Sequence, residues 1–468
     1  MIFYVFKMNV IGSGTYGNVK YIDSNTVSKK VKILEYISDS ELELYSQELS
    51  PNTLRKELKN VSESFKYESS EEYIKSQLKI NDESYLCNLH LLYPNLKETC
   101  FLSQFKSRYI VSLYNVKLDL YNNSLELDLK NVGVDLYTYI RKNGTDYLKY
   151  IIFQILQILE AFSRNDLIHG DLTSRNICVD SKGRICLIDF GSICFNSKHK
   201  NDTYCTPIYD APEASKMIFF PINDVYSLGV CILTLFDKNI LKYGYLYISK
   251  SLQLIYNFEI RKIVSAMLES DYKKRPTALE LLNSKYFSEF IFKPLNIKIK
   301  NVKTAYDIND VYLYNSKKDF SSIRTKLLKY IYNLLQILNL QHYSMHTTYL
   351  IDTYVYYNIC NYSDLVLIGI SCACITNIIF SFQRIETALC YYGKIKYLDL
   401  LLYIFKILKF FEFTVYIKFP DLEYMYCKNC FDLKSCINCI KYEKLTNLLI
   451  SESGFGVFNY MYLNIAKL

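Results

Sequence analysis

Polar and apolar residues alternate near the start of the chain, and apolar residues recur at helical spacing toward its end. The alternating run Thr26-Val27-Ser28-Lys29-Lys30-Val31-Lys32-Ile33 predicts a strand, and its period of two decides which lysine points inward. With Lys29 inward, its same-face neighbours are Val27, Val31 and Ile33; with Lys30 inward they are Ser28 and Lys32, a poor core. Lys29 is therefore the inward residue. Upstream, Gly12-Ser13-Gly14-Thr15-Tyr16-Gly17 lies between strand-like runs and predicts a glycine-rich hairpin. Residues 35–90 hold 12 Asp/Glu, 6 Lys/Arg and 10 Ser with little periodicity, an acidic insertion expected to be mobile or weakly helical. A helix is expected over Leu96–Leu102, carrying Glu98, and a strand over Tyr109–Leu113. Long apolar helical runs follow at Ile323–Leu338, Thr347–Ile359, Leu365–Phe380 and Tyr397–Phe411. Ser371, Thr376, Asn377 and Ser381 make Leu365–Phe382 a buried central helix rather than a bilayer span.

Composition narrows the class. At 468 residues the chain is too long for one ordinary domain. Its 50% hydrophobic and 22% charged residues supply a large core and exclude a disordered chain. Only 14 Gly and 8 Pro argue against turn-dense all-β architecture. The 46 Tyr beside no Trp look like codon bias, so a tyrosine by itself says little about function. A net charge of +8 without long basic runs predicts no nucleic-acid partner. The 15 cysteines are mostly single within apolar runs, as expected of a reducing, intracellular compartment, and Ile2–Phe6 lacks the flanks of a signal peptide.

The chemistry concentrates in Ile168-His169-Gly170-Asp171-Leu172-Thr173-Ser174-Arg175-Asn176-Ile177, followed by Leu187-Ile188-Asp189-Phe190-Gly191. Further on come Thr206-Pro207-Ile208-Tyr209-Asp210-Ala211-Pro212-Glu213, Asn223-Asp224 and Asp271 to Thr277 with Arg275-Pro276. At these residues the chain resembles the eukaryotic protein kinase superfamily over about residues 1–290. The resemblance implies an α+β, bilobal fold and an ATP- and Mg-dependent transfer of phosphate to Ser/Thr hydroxyls of protein substrates. A non-catalytic scaffold and a dual-specificity or tyrosine kinase are the alternatives.

Phosphoryl transfer needs alignment and charge neutralisation more than covalent help. The resemblance implies that Ile11, Gly12, Ser13, Gly14, Thr15, Tyr16 and Gly17 cover the nucleotide phosphates. It implies that Lys29 binds the α- and β-phosphates, held by Glu98. Asp189 and Asn176 would hold Mg²⁺, Asp171 would take or orient the substrate hydroxyl's proton, and Arg175 would serve the γ-phosphate. Adenine would lie between Val19 and Val27 on one side and Cys178 on the other, with Leu129 and Ile188 behind and hinge bonds from Lys130 and Val132. Glu213, Arg275 and Asp224 match structural marks of the family. Gly170 stands where the family has an arginine that receives an activation-loop phosphate, so activation by phosphate at Thr203, or near Asn201, is not expected.

Beyond a linker at 291–304, residues 305–468 are expected to form an all-α domain. The pattern Arg324, Leu327, Ile331, Thr348, Leu365 to Ala373 with Gly369, and Ile404 to Leu408 resembles a cyclin box over about residues 305–415. This implies an intramolecular contact that activates the kinase part in cis. The cyclin's polar contact positions fall on Ile378 and Leu401, so such a contact would be apolar. Cys427, Cys430, Cys436 and Cys439 form two Cys-x-x-Cys knuckles, a pattern that suits structural Zn. No membrane partner is expected.

Overall fold

The computed structural model describes residues 10–14, 17–32, 34–36, 85–87, 89–119, 124–195, 206–216, 220–302, 318–337, 343–358, 362–380, 395 and 397–416. They fall into two units. One comprises Met1–Ile33 and His90–Lys300, the other Leu34–Leu89 and Asn301–Leu468.

In the first unit, β1 (Val10–Gly14), β2 (Gly17–Tyr21), β3 (Thr26–Lys32), β7 (Leu113–Asp119) and β8 (Ser124–Lys130) form an antiparallel sheet of order β1-β2-β3-β8-β7. The β1–β2 hairpin turns between the paired Gly14 and Gly17. Alternation sets the faces: Lys29 and Val31 of β3 are buried and Lys30 is exposed, while Leu125, Leu127 and Leu129 of β8 are buried. The strand expected at Tyr109–Leu113 begins later, at Leu113. Ahead of it, the Val111 N–H donates to the Leu187 carbonyl at 3.1 Å and the Leu187 N–H to the Tyr109 carbonyl at 2.8 Å, which ties this stretch to a different strand.

Helix α1 (Leu89–Gln104) carries Glu98 and is longer than the expected Leu96–Leu102; it runs through Pro94 in its second turn. Short β6 (Phe105–Lys106) pairs with β14 (Lys298–Ile299). The core of the rest is α3 (Leu148–Arg164) and α4 (Pro221–Phe236), both buried over most of their length, α3 with Gln154, Gln157 and Glu160 buried among its apolar residues. Around them lie α2 (Leu136–Asn143), α5 (Ile240–Tyr243), α6 (Ile248–Gln253), α7 (Phe258–Met267) and α8 (Ala278–Leu282). Their starts are written in the sequence. Asp135 accepts the Thr138 N–H at 3.0 Å, and Asn257 accepts that of Ile260 at 3.0 Å. Thr277 and Glu280 form a capping box. Between α3 and α4 run β10 (Leu167–Ile168), β11 (Ile177–Val179), β12 (Ile185–Leu187) and β13 (Cys194–Phe195); β9 (Val134–Asp135) completes the β12-β11-β9 sheet.

In the second unit, β4 (Leu34–Tyr36) and β5 (Tyr85–Cys87), one from each end of the insertion, pair antiparallel. The described C-terminal residues are helical: α9 (Lys318–Ile337), α10 (Ser344–Tyr357), α11 (Tyr362–Phe380) and α12 (Tyr397–Phe410), close to the four predicted runs. Central α11 packs on α9, α10 and α12. At Gly369 a Cβ would stand 2.8 Å from Ile331 Cδ1, so glycine is what lets α9 and α11 approach. A buried bidentate ion pair, Arg324 to Asp352 at 2.9 and 2.7 Å, ties α9 to α10. Among the described residues no helix is long and apolar enough to cross a membrane.

Candidate active site

Three elements of the first unit converge on one set of charges. Strand β3 points Lys29 inward, 7% exposed, where its ammonium donates to Glu98 Oε2 of α1 at 2.7 Å and lies 3.6 Å from Asp189 Oδ1. Burial works against the Lys29 charge, but Asp189 and Glu98 outweigh it and raise the pKa, so the lysine is held as a cation. Glu98, 1% exposed, also accepts the Phe190 N–H on Oε1 at 3.3 Å. One carboxylate thus joins the β3 lysine to the Asp189-Phe190-Gly191 turn.

Asp189 itself has φ 60°, in the left-handed region that non-glycine residues rarely adopt. Phe190, fully buried, secures that turn. Its ring centroid is 4.7 Å from Phe101 of α1, 6.4 Å from Phe162 of α3 and 5.1 Å from His169. This aromatic column was missed in the sequence; its one visible sign is Phe101, one helical turn beyond Glu98.

The loop between β10 and β11 carries the second carboxylate. Asn176 Nδ2 donates to the Asp171 carbonyl at 2.8 Å and to Asp171 Oδ2 at 3.3 Å. Asp171 Oδ1 accepts from the Thr206 N–H at 3.0 Å and the Thr206 hydroxyl at 2.8 Å. Burial raises the pKa of Asp171, and the Thr206 and Asn176 bonds pull against it. Behind the loop, Asp224 accepts the backbone N–H of His169 at 2.7 Å and of Gly170 at 3.1 Å; burial pushes its pKa up to about 7. The Glu213–Arg275 pair is bidentate, at 2.6 and 3.0 Å, and buried.

The remaining expected residues divide by location. Gly12, Gly14 and Gly17 lie at the β1–β2 turn with Ile11 and Ser13 in β1, whereas Thr15 and Tyr16 fall outside the described residues. Val19 is opposite Lys29, and Val27 opposite Leu129. Cys178 is buried in β11 and Ile188 half-buried just before Asp189. The Lys130 N–H donates to the Ser112 carbonyl at 2.9 Å, so a hinge bond from Lys130 must come from its carbonyl. Val132 is half-buried in the segment after β8. Arg175 is exposed, and its charge is felt at Tyr209. Cys427, Cys430, Cys436 and Cys439, with Thr203 and Asn201, lie outside the described residues. Among the described residues no His/Cys/Asp/Glu group of three or more could hold a metal ion.

Residues 74–287 match the family profile described as "Protein kinase domain". The chain carries a protein kinase domain. The profile match begins downstream of Gly12–Gly17 and Lys29. The chain is 24% identical over 325 residues to "Calcium-dependent protein kinase 6" of Plasmodium berghei (strain Anka), covering 64% of this chain and 18% of that protein. To "Serine/threonine protein kinase OSK3" of Oryza sativa subsp. indica it is 28% identical over 230 residues, covering 45% of this chain and 44% of that protein. To "Serine/threonine-protein kinase SCH9" of Saccharomyces cerevisiae it is 34% identical over 106 residues, or 21% of this chain and 13% of that protein. The chain thus spans less than half the length of these relatives.

Proposed function

We propose that the chain is an ATP- and Mg²⁺-dependent kinase that phosphorylates serine and threonine hydroxyls of proteins. The observation that carries this reading is the Lys29–Glu98 pair, closed at 2.7 Å with Asp189 beside it. Lys29, kept charged, binds the nucleotide's α- and β-phosphates. The Gly12–Gly17 hairpin offers backbone N–H groups to the phosphates. Asp189 and the Asn176 amide oxygen supply hard oxygen donors that fit Mg²⁺, which when bound neutralises phosphate charge. Asn176 reaches Asp171 through its NH₂ group, so the amide oxygen is the atom left for this task. Asp171 Oδ2 orients and accepts the substrate hydroxyl's proton. Arg175 approaches the γ-phosphate from the exposed side of the loop.

Serine/threonine rather than tyrosine specificity is supported by the Thr206 hydroxyl on Asp171 and by the names of two relatives, both serine/threonine protein kinases. Gly170 brings no cation to the activation segment, so the enzyme works without a phosphate there.

The second unit acts in cis as a cyclin-like support for α1. Two facts favour this. The chain leaves the kinase domain just after β3 and returns at the start of α1, and the two strands flanking that excursion, β4 and β5, group with the helical unit.

Phosphate incorporation from ATP into a mixed basic protein substrate tests the activity. Wild type should transfer phosphate, and Asp171→Ala and Asp189→Ala should each abolish it. Equal incorporation by all three proteins refutes the reading.

A further inference from the structure

On the first unit, away from the catalytic residues, a hollow of about 630 Å³ is lined by Lys106, Arg108, Lys293 and Lys298, with no carboxylate in its wall. A second hollow of about 620 Å³ shares Ser107, Arg108, Ile110 and Ser112 with it and continues it past Lys130 and Arg184. Asp180, the carboxylate of the second hollow, is already bound to Arg184 at 2.7 Å. Together the two hollows form a cationic trough whose far end reaches Lys130 and Val132 of the expected adenine hinge, while Lys106, Lys293 and Lys298 line the other end.

The trough is built to hold its charges together. Lys298 of β14 stands directly opposite Lys106 of β6, an arrangement that repels in a two-stranded ribbon. Lys300, next along, adds to the effect: burial lowers the Lys106 pKa and Lys300 lowers it further. The segment that brings Lys293 and Lys298 is fixed by Arg164, which donates to the Leu295 carbonyl at 2.6 Å. The Lys106 ammonium donates to the Leu102 carbonyl, and an anion bound among these cations would relieve the repulsion that a neutral carbonyl leaves. Ile291, 81% exposed, adds an aliphatic contact at the rim.

We propose that this trough docks an acidic, extended segment of a partner polypeptide, with carboxylates on Lys106, Lys293 and Lys298 and an aliphatic side chain on Ile291. Two joined hollows suit a chain segment rather than a lone ion. The hollow that gathers Lys106, Lys293 and Lys298 has no aromatic ring in its wall, and the two rings of the second are already engaged, Tyr109 beneath Arg108 at 4.7 Å and Tyr150 against Phe290 at 5.7 Å, whereas single-stranded nucleic acid is held by stacking on open rings. The occupant is therefore a peptide.

The test uses the full chain and a fluorescein-labelled peptide of a dozen Glu and Asp residues around two leucines, titrated by anisotropy. It needs neither ATP nor phosphate transfer, so its outcome is independent of the proposed catalytic activity. Wild type should bind the peptide, more weakly as salt is raised. The double variant Lys293→Glu/Lys298→Glu should lose about tenfold or more in affinity, and Lys293→Arg/Lys298→Arg should keep it. If the charge-reversed protein fails to fold, Lys293→Gln/Lys298→Gln replaces it, with the same direction expected. The proposal is overturned if the peptide does not bind, if a folded variant lacking these charges binds it equally well, or if a single-stranded oligoribonucleotide of similar charge binds this trough in preference to the peptide.

Discussion

Replacing Lys29 by methionine should separate two consequences that the geometry ties together. Glu98 is 1% exposed, and the Lys29 ammonium at 2.7 Å is its counter-charge. Removing one member of a buried pair leaves the other charged without compensation, at a cost of about 3–5 kcal/mol. The Phe190 N–H at 3.3 Å offsets a part of this, so about 3 kcal/mol is expected for Lys29→Met. Replacing both members with apolar side chains removes the stranded charge, so Lys29→Met/Glu98→Met should recover most of that loss. Phosphate transfer should stay lost in both. Lys30 sits one residue away on the opposite face, and its pair with Glu126 at 2.8 Å has the lysine side chain 44% exposed. Lys30→Met should therefore cost no more than about 1 kcal/mol and leave transfer nearly intact. Urea unfolding gives the stabilities, and phosphate incorporation the activities. Equal losses for Lys29→Met and Lys30→Met, or a double variant no more stable than Lys29→Met, would refute the reasoning.

Three further outcomes are expected. Gly170 has φ +79°, and a Cβ there would meet the Ser192 carbonyl oxygen at 2.6 Å; Gly170→Ala should lose about 1–2 kcal/mol from the left-handed backbone alone and more from the overlap, read as a lower unfolding midpoint and a slower enzyme. Asp171 must be ionised to accept a proton, so activity falls as pH drops through its raised pKa; Thr206→Val removes a hydroxyl bond that favours the carboxylate, and the acid limb of kcat/KM should move to higher pH, whereas an unmoved limb assigns it to another group. Gly369→Val in the full chain should force α9 and α11 apart at about 1–3 kcal/mol; if the helical unit supports α1, kcat falls while ATP affinity holds, and unchanged kcat in a protein with a disturbed helical unit rejects the cis support.

The positions of the Asp171–Asn176 loop and the Asp189 turn between short strands were legible because their residue types recur at fixed short spacings. Lys29 was legible because one period-two choice buries valines and the other buries charge. The C-terminal helices were legible from long apolar runs, which bury whatever they pack against. Other features were not. Tyr109-Ile110-Val111 reads as a sheet strand by periodicity, yet its backbone bonds go to Leu187, a choice made by tertiary position. The column of Phe101, Phe162, His169 and Phe190 joins distant positions whose apolar character looks like ordinary core. The cationic trough is equally hidden, since Lys106 and Lys298 become neighbours only when β6 and β14 pair.

The position of α1 follows from a geometric constraint as much as from its contacts. Lys97 and Glu98 are consecutive and each 1% exposed. Leu92 to Leu102 are all buried, about three turns that sample every direction around the axis, so this helix does not lie on a single surface. Glu98 faces Lys29 and the Phe190 N–H, whereas Lys97 feels Cys194 of β13, and burial lowers its pKa to about 7. A helix covered on both sides cannot swing outward to break the Lys29–Glu98 pair without also returning the Lys97 ammonium to solvent. The closed pair and the cover over Lys97 are therefore one equilibrium. Because burial lowers this pKa, covering the helix releases a proton between about pH 7 and the ordinary lysine range, so the equilibrium tips toward the covered helix as pH rises across that window and levels off below about 7.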